Sequence, residues 1–491
     1  MINPNREEFI RLGSSGNLIP VYQEILADTY TPVTAFLKLG GSPAFLLESV
    51  EGGEKWARYS FLGSRPSKVI RGFGNVVEVI EGSRQVRRVT TEDPVAELKR
   101  EISSYRPVPV AGLPAFFGGI VGYMGYDMVR YFETVPEREK DGLGLPDFFF
   151  MLTDTMLVFD SLRQKITVVS NAHLDGRPAG EVYDDAAAKI QEIIERLRTP
   201  LPEARRAAGA TPSESFVSNM PKEDFLSAVE RSKEYVRAGD VFQVVLSQRF
   251  GHASEAAPFD VYRALRVINP SPYMYYLDIG EARIVGSSPE ILVRLEGGKI
   301  VLRPIAGTRR RGANDEEDRA LEAELRQDPK ELAEHIMLVD LGRNDVGRVA
   351  KTGSVKVTEL MAVERYSHVM HLVSNVEGDL REGADAFDVL AACFPAGTVS
   401  GAPKVRAMEI IDELEPTRRG PYAGSVGYFS YAGTMDMCIT IRTLVMKDGV
   451  AYVQAGAGIV ADSVPEKEYA ETVNKARGIM KAVDMAEQGL Q

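Results

Sequence analysis

Two pairs of glutamates, each spaced three residues apart, are the groups in this 491-residue chain best suited to chemistry. Glu331 and Glu334 lie in DPKELAEHIMLVDLGRNDVGR, residues 328–348, and Glu468 and Glu471 lie in DSVPEKEYAETVNKARGIM, residues 462–480. Residues three apart share a helical face, and two carboxylates there repel unless water or a cation lies between them. Two such faces turned toward each other would offer four carboxylates to a hard divalent ion. Mg²⁺ fits, because it keeps some waters and accepts an anionic substrate oxygen. A plainer account stands beside this one. Glu331 falls where a capping box places its acid after Asp328, and Glu471 stands four before Lys475, as in a surface ion pair.

Other segments carry weaker signals. QAGAGIVAD, residues 454–462, spaces Gly456, Gly458 and Ala461 like a dinucleotide fingerprint, but too little chain follows for a second parallel strand. What remains is a set of backbone N–H groups ahead of a helix, able to cradle a carboxylate. CFPAGTVSGAPK, residues 393–404, lacks the Gly-Lys-Ser/Thr of a phosphate loop but can hold an anion through Thr398 and its amides. RPIAGTRRR, residues 303–311, puts Gly307 and Thr308 at a strand end before three arginines, which read equally as a solvated basic turn. His371, in an alternating strand, is either structural or the proton donor. Cys393 has no evident His–acid relay, so a cysteine hydrolase is weakly supported.

The elements that must position these groups follow from periodicity and punctuation. Asp328, Pro329 and the stripe Leu332, Ile336, Val339 predict a helix, and Ser463 with Glu466 predicts a capped start for the last one. Residues 6–29 read as a helix followed by irregular chain, and 35–49 as two short strands around Gly-Gly-Ser-Pro. Residues 148–161 and 164–171 read as a hairpin, and 437–446 as one strand. Most neighbouring strands are joined by hairpins, which predicts an α+β fold of large, mostly antiparallel sheets packed as a sandwich with helices outside. The Pro-, Ala- and charge-rich stretch 199–215 reads as a linker between an N-terminal domain, 1–198, and a second domain, 216–491. A net charge of −12 argues against nucleic-acid binding and a basic membrane patch. Two cysteines make no disulfide framework, and no apolar run predicts a membrane span or leader, so the expected setting is the cytoplasm.

PIAGTRRR, DPKELAEHIMLVDLGRNDVGRV, YSHVMHLVSNVEG, CFPAGTVSGAPK and GAGIVADSVPEKEYAETVNKA occur in this order, and over residues 215–485 the chain resembles the chorismate-utilising enzyme family. The N-terminal half resembles the tryptophan-regulated members, with LLES at 46–49, Ser60 shortly after, and NPSPYM at 269–274. The resemblance implies conversion of chorismate and ammonia to anthranilate and pyruvate with Mg²⁺, the ammonia coming from a glutamine amidotransferase partner. It implies Glu334 and Glu471 as principal metal ligands, supported by Glu331 and Glu468. Arg442 and Tyr422 would bind the enolpyruvyl carboxylate, and Gly458 and Lys475 a substrate carboxylate, with Gly307, Thr308 and Gly456 beside them. His371 and Thr398 would flank the ring and its leaving hydroxyl. It further implies a tryptophan site at Leu47, Glu48, Ser49, Ser60, Asn269, Pro270, Ser271, Tyr273 and Met274.

Water-using members carry a lysine base where this chain has Gln243, which cannot act as a base at neutral pH, so ammonia is the favoured nucleophile. Members forming aminodeoxychorismate, the alternative reading, often carry lysine where this chain has Ala306.

Overall fold

The structure, a computed structural model, describes residues 1–49, 58–136, 138–202, 216–366 and 369–490. The predicted linker lies outside the described residues from 203 onward. Two sheets, of thirteen and twelve strands among the described residues, stack face to face, and every pairing between their named strands is antiparallel. The expected α+β sandwich is therefore present.

Strand alternation explains the layering. In Tyr273–Asp278, Tyr275 and Leu277 enter the core between the sheets with Phe45, Val121, Tyr123 and Phe149. Met274 and Tyr276 face the opposite way, toward helices Pro258–Ile268 and Pro465–Glu487. Each fully buried aromatic ring in the inner layer contributes about 2 kcal/mol of burial. Both sheets run across the two predicted domains: Leu47 pairs with Tyr275 in one, and Gly122 with Gly427 in the other.

Several segments differ from the expectation. The first helix stops at Leu12, and the chain continues as strand Leu18–Leu26, paired with Lys165–His173. Pro20 obscured that strand, since proline argues against a paired position. Residues 32–39 form a helix rather than a strand, because Thr31 and Thr34 make a reciprocal capping box with Pro32 at the first turn. Residues 148–161 are not one hairpin arm. Phe148–Thr153 belongs to the second sheet, and only Thr155–Asp160 pairs with Lys165–His173. Likewise 437–446 is two strands, Met435–Ile439 in the second sheet and Thr443–Lys447 in the first. The chain steps between sheets at these breaks, where only a short polar interruption, Thr-Asp-Thr at 153–155 and Thr-Ile-Arg at 440–442, separates two apolar flanks. Among the described residues, no helix is long and apolar enough to cross a membrane.

Candidate active site

Two of these steps between sheets lie side by side. Strand Arg283–Ser288 passes to Ile291–Glu296 through Pro289 and Glu290, and Met435–Ile439 passes to Thr443–Lys447 through Thr440, Ile441 and Arg442. Backbone hydrogen bonds join them: Ile439 N–H donates to Glu290 O at 3.0 Å, and Ser287 N–H to Arg442 O at 3.1 Å. The corner thus fixes Glu290 and Arg442 on one rim.

Arg442 holds φ of +51°, a conformation a bulky residue adopts only when its surroundings enforce it. Burial draws its guanidinium below the ordinary range, opposed by Tyr422 and Glu471. It shares a cleft with Lys467, Glu471, Asn474 and Lys475 of the last helix. Lys475 Nζ donates to Gly456 O at 3.0 Å and pairs with Glu471 at 2.7 Å. Tyr422 is pushed up to about 12 by burial, partly offset by Arg419.

The two glycines lie in strand Val450–Ile459, not in a loop opening a helix, and the last helix starts at Pro465 with Val464 as its cap. Ser463 instead accepts from Val460 N–H at 3.1 Å. The amide cradle survives for a different reason. A strand residue's N–H and C=O point to the same side, and Gly456 O points at Lys475. The N–H groups of Gly456 and Gly458 therefore share that side, beyond Leu444↔Val453, the last pairing with the neighbouring strand. A Cβ at 458 would lie 2.3 Å from Gln243 Nε2, so glycine there leaves the Gln243 amide where it stands. Gln243 is buried, and its Oε1 has no hydrogen-bond partner among the described residues.

Thr398, in the short helix Gly397–Ser400, donates its hydroxyl to Glu290 Oε1 at 3.0 Å. Glu290 is pushed up to about 8 by burial, against the opposing effects of Thr398 and Lys475, and so keeps its proton at neutral pH. It is a candidate functional group that the sequence alone does not single out. Its only signal was a proline-bounded acid, Ser-Pro-Glu, between two strands. His371 stands on strand Val369–Asp379, with Nδ1 3.0 Å from Thr308 Oγ1 and 3.2 Å from Gly307 O. Burial holds it below the ordinary histidine range, with Arg442 acting in the same direction, so it is neutral. Gly307 makes the bulge in Ile305–Arg310 that gathers these atoms, and its φ of +68° explains the glycine.

Helix Pro329–Gly347 is capped by Asp328, which accepts from Lys330 and Glu331 N–H at 3.0 and 3.2 Å. The Glu331 carboxylate does not close a capping box but meets Arg309 at 3.2 Å. Arg309 and Arg310 lie in strand Ile305–Arg310 rather than a turn, and Arg310 is exposed; Arg309 also meets Glu324 and Asp328, and Arg311 meets Asp318. Glu334 is raised by burial, then by Glu331, with Glu471 adding from the last helix. Glu468 is raised by burial and by Glu471. The two acidic faces therefore sense one field. Among the described residues, no group of three or more His, Cys, Asp or Glu side chains stands ready to hold a metal ion, Glu471 being engaged by Lys475. The donor set is all oxygen, and the mutual repulsion of Glu334 and Glu471 fits a hard cation between their helices. Cys393 is buried and its thiol raised by burial, so it is no nucleophile.

A second cavity, of about 440 Å³, lies between the sheets. Leu47, Glu48, Ser49, Tyr273 and Met274 line it, with Phe61, Phe116 and Tyr428 as an aromatic wall and Arg294 and Asp436 as a charged pair at 2.6 Å. Ser60, between cavity residues Tyr59 and Phe61, is not on the wall. Asn269, Pro270 and Ser271 are not on the wall, where Pro272 stands instead. The Glu48 carboxylate is turned to Tyr262 at 2.5 Å and Arg266 at 3.1 Å.

This arrangement, a cationic rim facing acidic helices across a sheet corner, coincides with a match to the chorismate binding enzyme family over residues 42–481, and the chain belongs to that family. Within it, the chain is 51% identical over 492 residues to anthranilate synthase component 1 of Acetivibrio thermocellus, covering 99% of each. It is likewise 51% identical to that of Pseudomonas aeruginosa, covering 99% of this chain and 100% of the other. Among solved structures it is similar to anthranilate synthase component I from Streptococcus pneumoniae, with TM-score 0.78 and 40% identity, covering 93% of this chain and 98% of that one. The menaquinone-specific isochorismate synthase of Escherichia coli, 20% identical with TM-score 0.70 over 97% and 98% of the chains, shares the fold.

Proposed function

We propose that this chain converts chorismate and ammonia to anthranilate and pyruvate, receives the ammonia from a glutamine amidotransferase partner, and is inhibited by tryptophan in the 440 Å³ cavity. One observation carries the reading: a cleft bearing Arg442 and Lys475 lies near a neutral, buried amide, Gln243, whose acceptor has no partner among the described residues. Arg442 and Tyr422 bind the enolpyruvyl carboxylate, and Lys475 with the Gly456 and Gly458 amides binds the second carboxylate. Glu290, protonated and hydrogen-bonded by Thr398, holds a proton for the leaving hydroxyl, while neutral His371 and Thr308 orient the ring. Gln243 Oε1 accepts an ammonia N–H, leaving the lone pair toward the ring. It offers water no base. Mg²⁺ held by Glu334 and Glu471, with Glu331 and Glu468 behind them, would supply a Lewis acid for the ring carboxylate. In the second cavity, the aromatic wall and the Arg294–Asp436 pair suit an aromatic zwitterion.

The test is anthranilate fluorescence from chorismate and an ammonium salt. Signal should require Mg²⁺, vanish with EDTA and fall with tryptophan. Chorismate consumed without fluorescence would instead indicate an aminodeoxychorismate product. Gly458→Ala is expected to displace Gln243 and lower ammonium-dependent kcat/KM by at least about tenfold, with chorismate binding less affected. Equal kinetics for the two chains would remove Gln243 from the mechanism.

A further inference from the structure

The inhibitor motif and the substrate arginine are joined through atoms that neither site uses. Ser287 is fully buried, and its N–H donates to Arg442 O at 3.1 Å. Its hydroxyl donates to Asn269 O and accepts from Asn269 Nδ2 at 3.1 Å. Asn269 opens the segment whose Pro272, Tyr273 and Met274 wall the inhibitor cavity. On the far side of Arg442, the Thr443 hydroxyl donates to Ile441 O at 2.8 Å, so a single side chain staples the peptide on either side of the arginine. Thr443 Oγ1 is also 2.5 Å from the hydroxyl of Tyr275, another cavity residue. With the threonine proton committed to Ile441, the tyrosine is the donor. The Tyr275 ring lies where a side chain at 286 would be, 2.1 Å from a Cβ there, so it is held in a fixed slot.

We propose that Ser287 and Thr443 are positioning residues for Arg442, and that they tie its pose to the occupancy of the cavity. Arg442 keeps its left-handed backbone only because neighbours enforce it, and the two side chains beside it, Ser287 and Thr443, are bonded in turn to Asn269, three residues before the cavity wall, and to Tyr275 on that wall. A ligand that moves segment 269–275 therefore reaches the guanidinium through its backbone rather than by blocking the substrate. Couplings of this kind change affinity roughly 5–150-fold. The link rests on the reading of the two sites given above.

The full chain is assayed with ammonium. Wild-type KM for chorismate should rise with tryptophan. Thr443→Val, nearly isosteric, should raise the basal KM about threefold to tenfold with kcat within about twofold, because carboxylate binding weakens while the reacting atoms are untouched. Tryptophan should still bind by calorimetry, within about threefold of wild type, yet lose most of its effect on KM. Thr443→Ser, which keeps the hydroxyl, should restore both properties. Ser287→Ala, which removes only the arm to Asn269, should likewise loosen the link, and it carries the same test if Thr443→Val does not fold. A wild-type KM and wild-type tryptophan response in both variants would overturn the proposal, as would a fall in kcat alone without rescue by serine. Absence of tryptophan binding to the wild-type chain would instead overturn the inhibitor reading and the link with it, leaving the basal KM to decide the positioning role.

Discussion

Glu334→Gln is expected to reduce turnover at least about a hundredfold while leaving the fold intact. Glutamine matches glutamate in size and keeps one oxygen, so packing against strands Ile305–Arg310 and Val369–Asp379 is preserved. What is lost is charge. Glu334 is raised by burial and by the negative charges of Glu331 and Glu471, so neutralising it relieves repulsion instead of creating it. The variant should melt at or slightly above the wild-type temperature. A cation shared by the two helices would then lose one of its two principal oxygens. Binding is read directly by titrating Mn²⁺ into the protein and following its electron paramagnetic resonance signal, independently of activity. Weakened Mn²⁺ binding together with lost fluorescence supports the role. Retained turnover with an unaltered Mg²⁺ requirement would refute it.

The acidic helices were legible in the sequence because their spacing is a local property, although the expected Ser463 cap is not made and Val464 stands there instead. Asp328 caps its helix as expected. The roles of Glu331 and the arginines were not legible, since pairing of Arg309 with three acids from two helix ends depends on a strand folding back beside them. The sandwich could be read from alternation and hairpin connections, but the places where strands change sheets could not. The polar breaks at 153–155 and 440–442, Thr-Asp-Thr and Thr-Ile-Arg, are too short for sequence to tell a step between sheets from a bend within one strand. Those steps matter most here, because two of them make the corner that carries Glu290 and Arg442. The resemblance makes the whole motif at 269–274 a wall of the inhibitor site. Its first residue instead bonds Ser287, a partner that only the folded chain identifies.

Glu290→Gln should separate activity from stability more sharply than any other single change. The wild-type carboxyl, pushed up to about 8, holds its proton at neutral pH, while in the unfolded chain it titrates near 4.5. Between these values the folded state binds a proton that the unfolded state has released. Wild-type stability therefore falls as pH rises through this window, by up to about 1.4 kcal/mol per pH unit for one group. Glutamine cannot titrate, accepts the Thr398 hydrogen bond equally well, and removes that slope. The variant should thus resist urea better than wild type at pH 8, with the advantage shrinking toward pH 5. Its activity should fall about 10²–10⁴-fold, the usual range for removing a general acid. Wild-type kcat/KM, expressed against free ammonia so that the nucleophile's own titration is removed, should decline above about pH 8 as Glu290 loses its proton. A profile flat to pH 10, or a glutamine variant that is more stable and still active, would transfer the proton donation elsewhere. His371 could take that role only as imidazolium, and its depressed basicity predicts a different profile, with activity lost as pH rises through a titration below the ordinary histidine range.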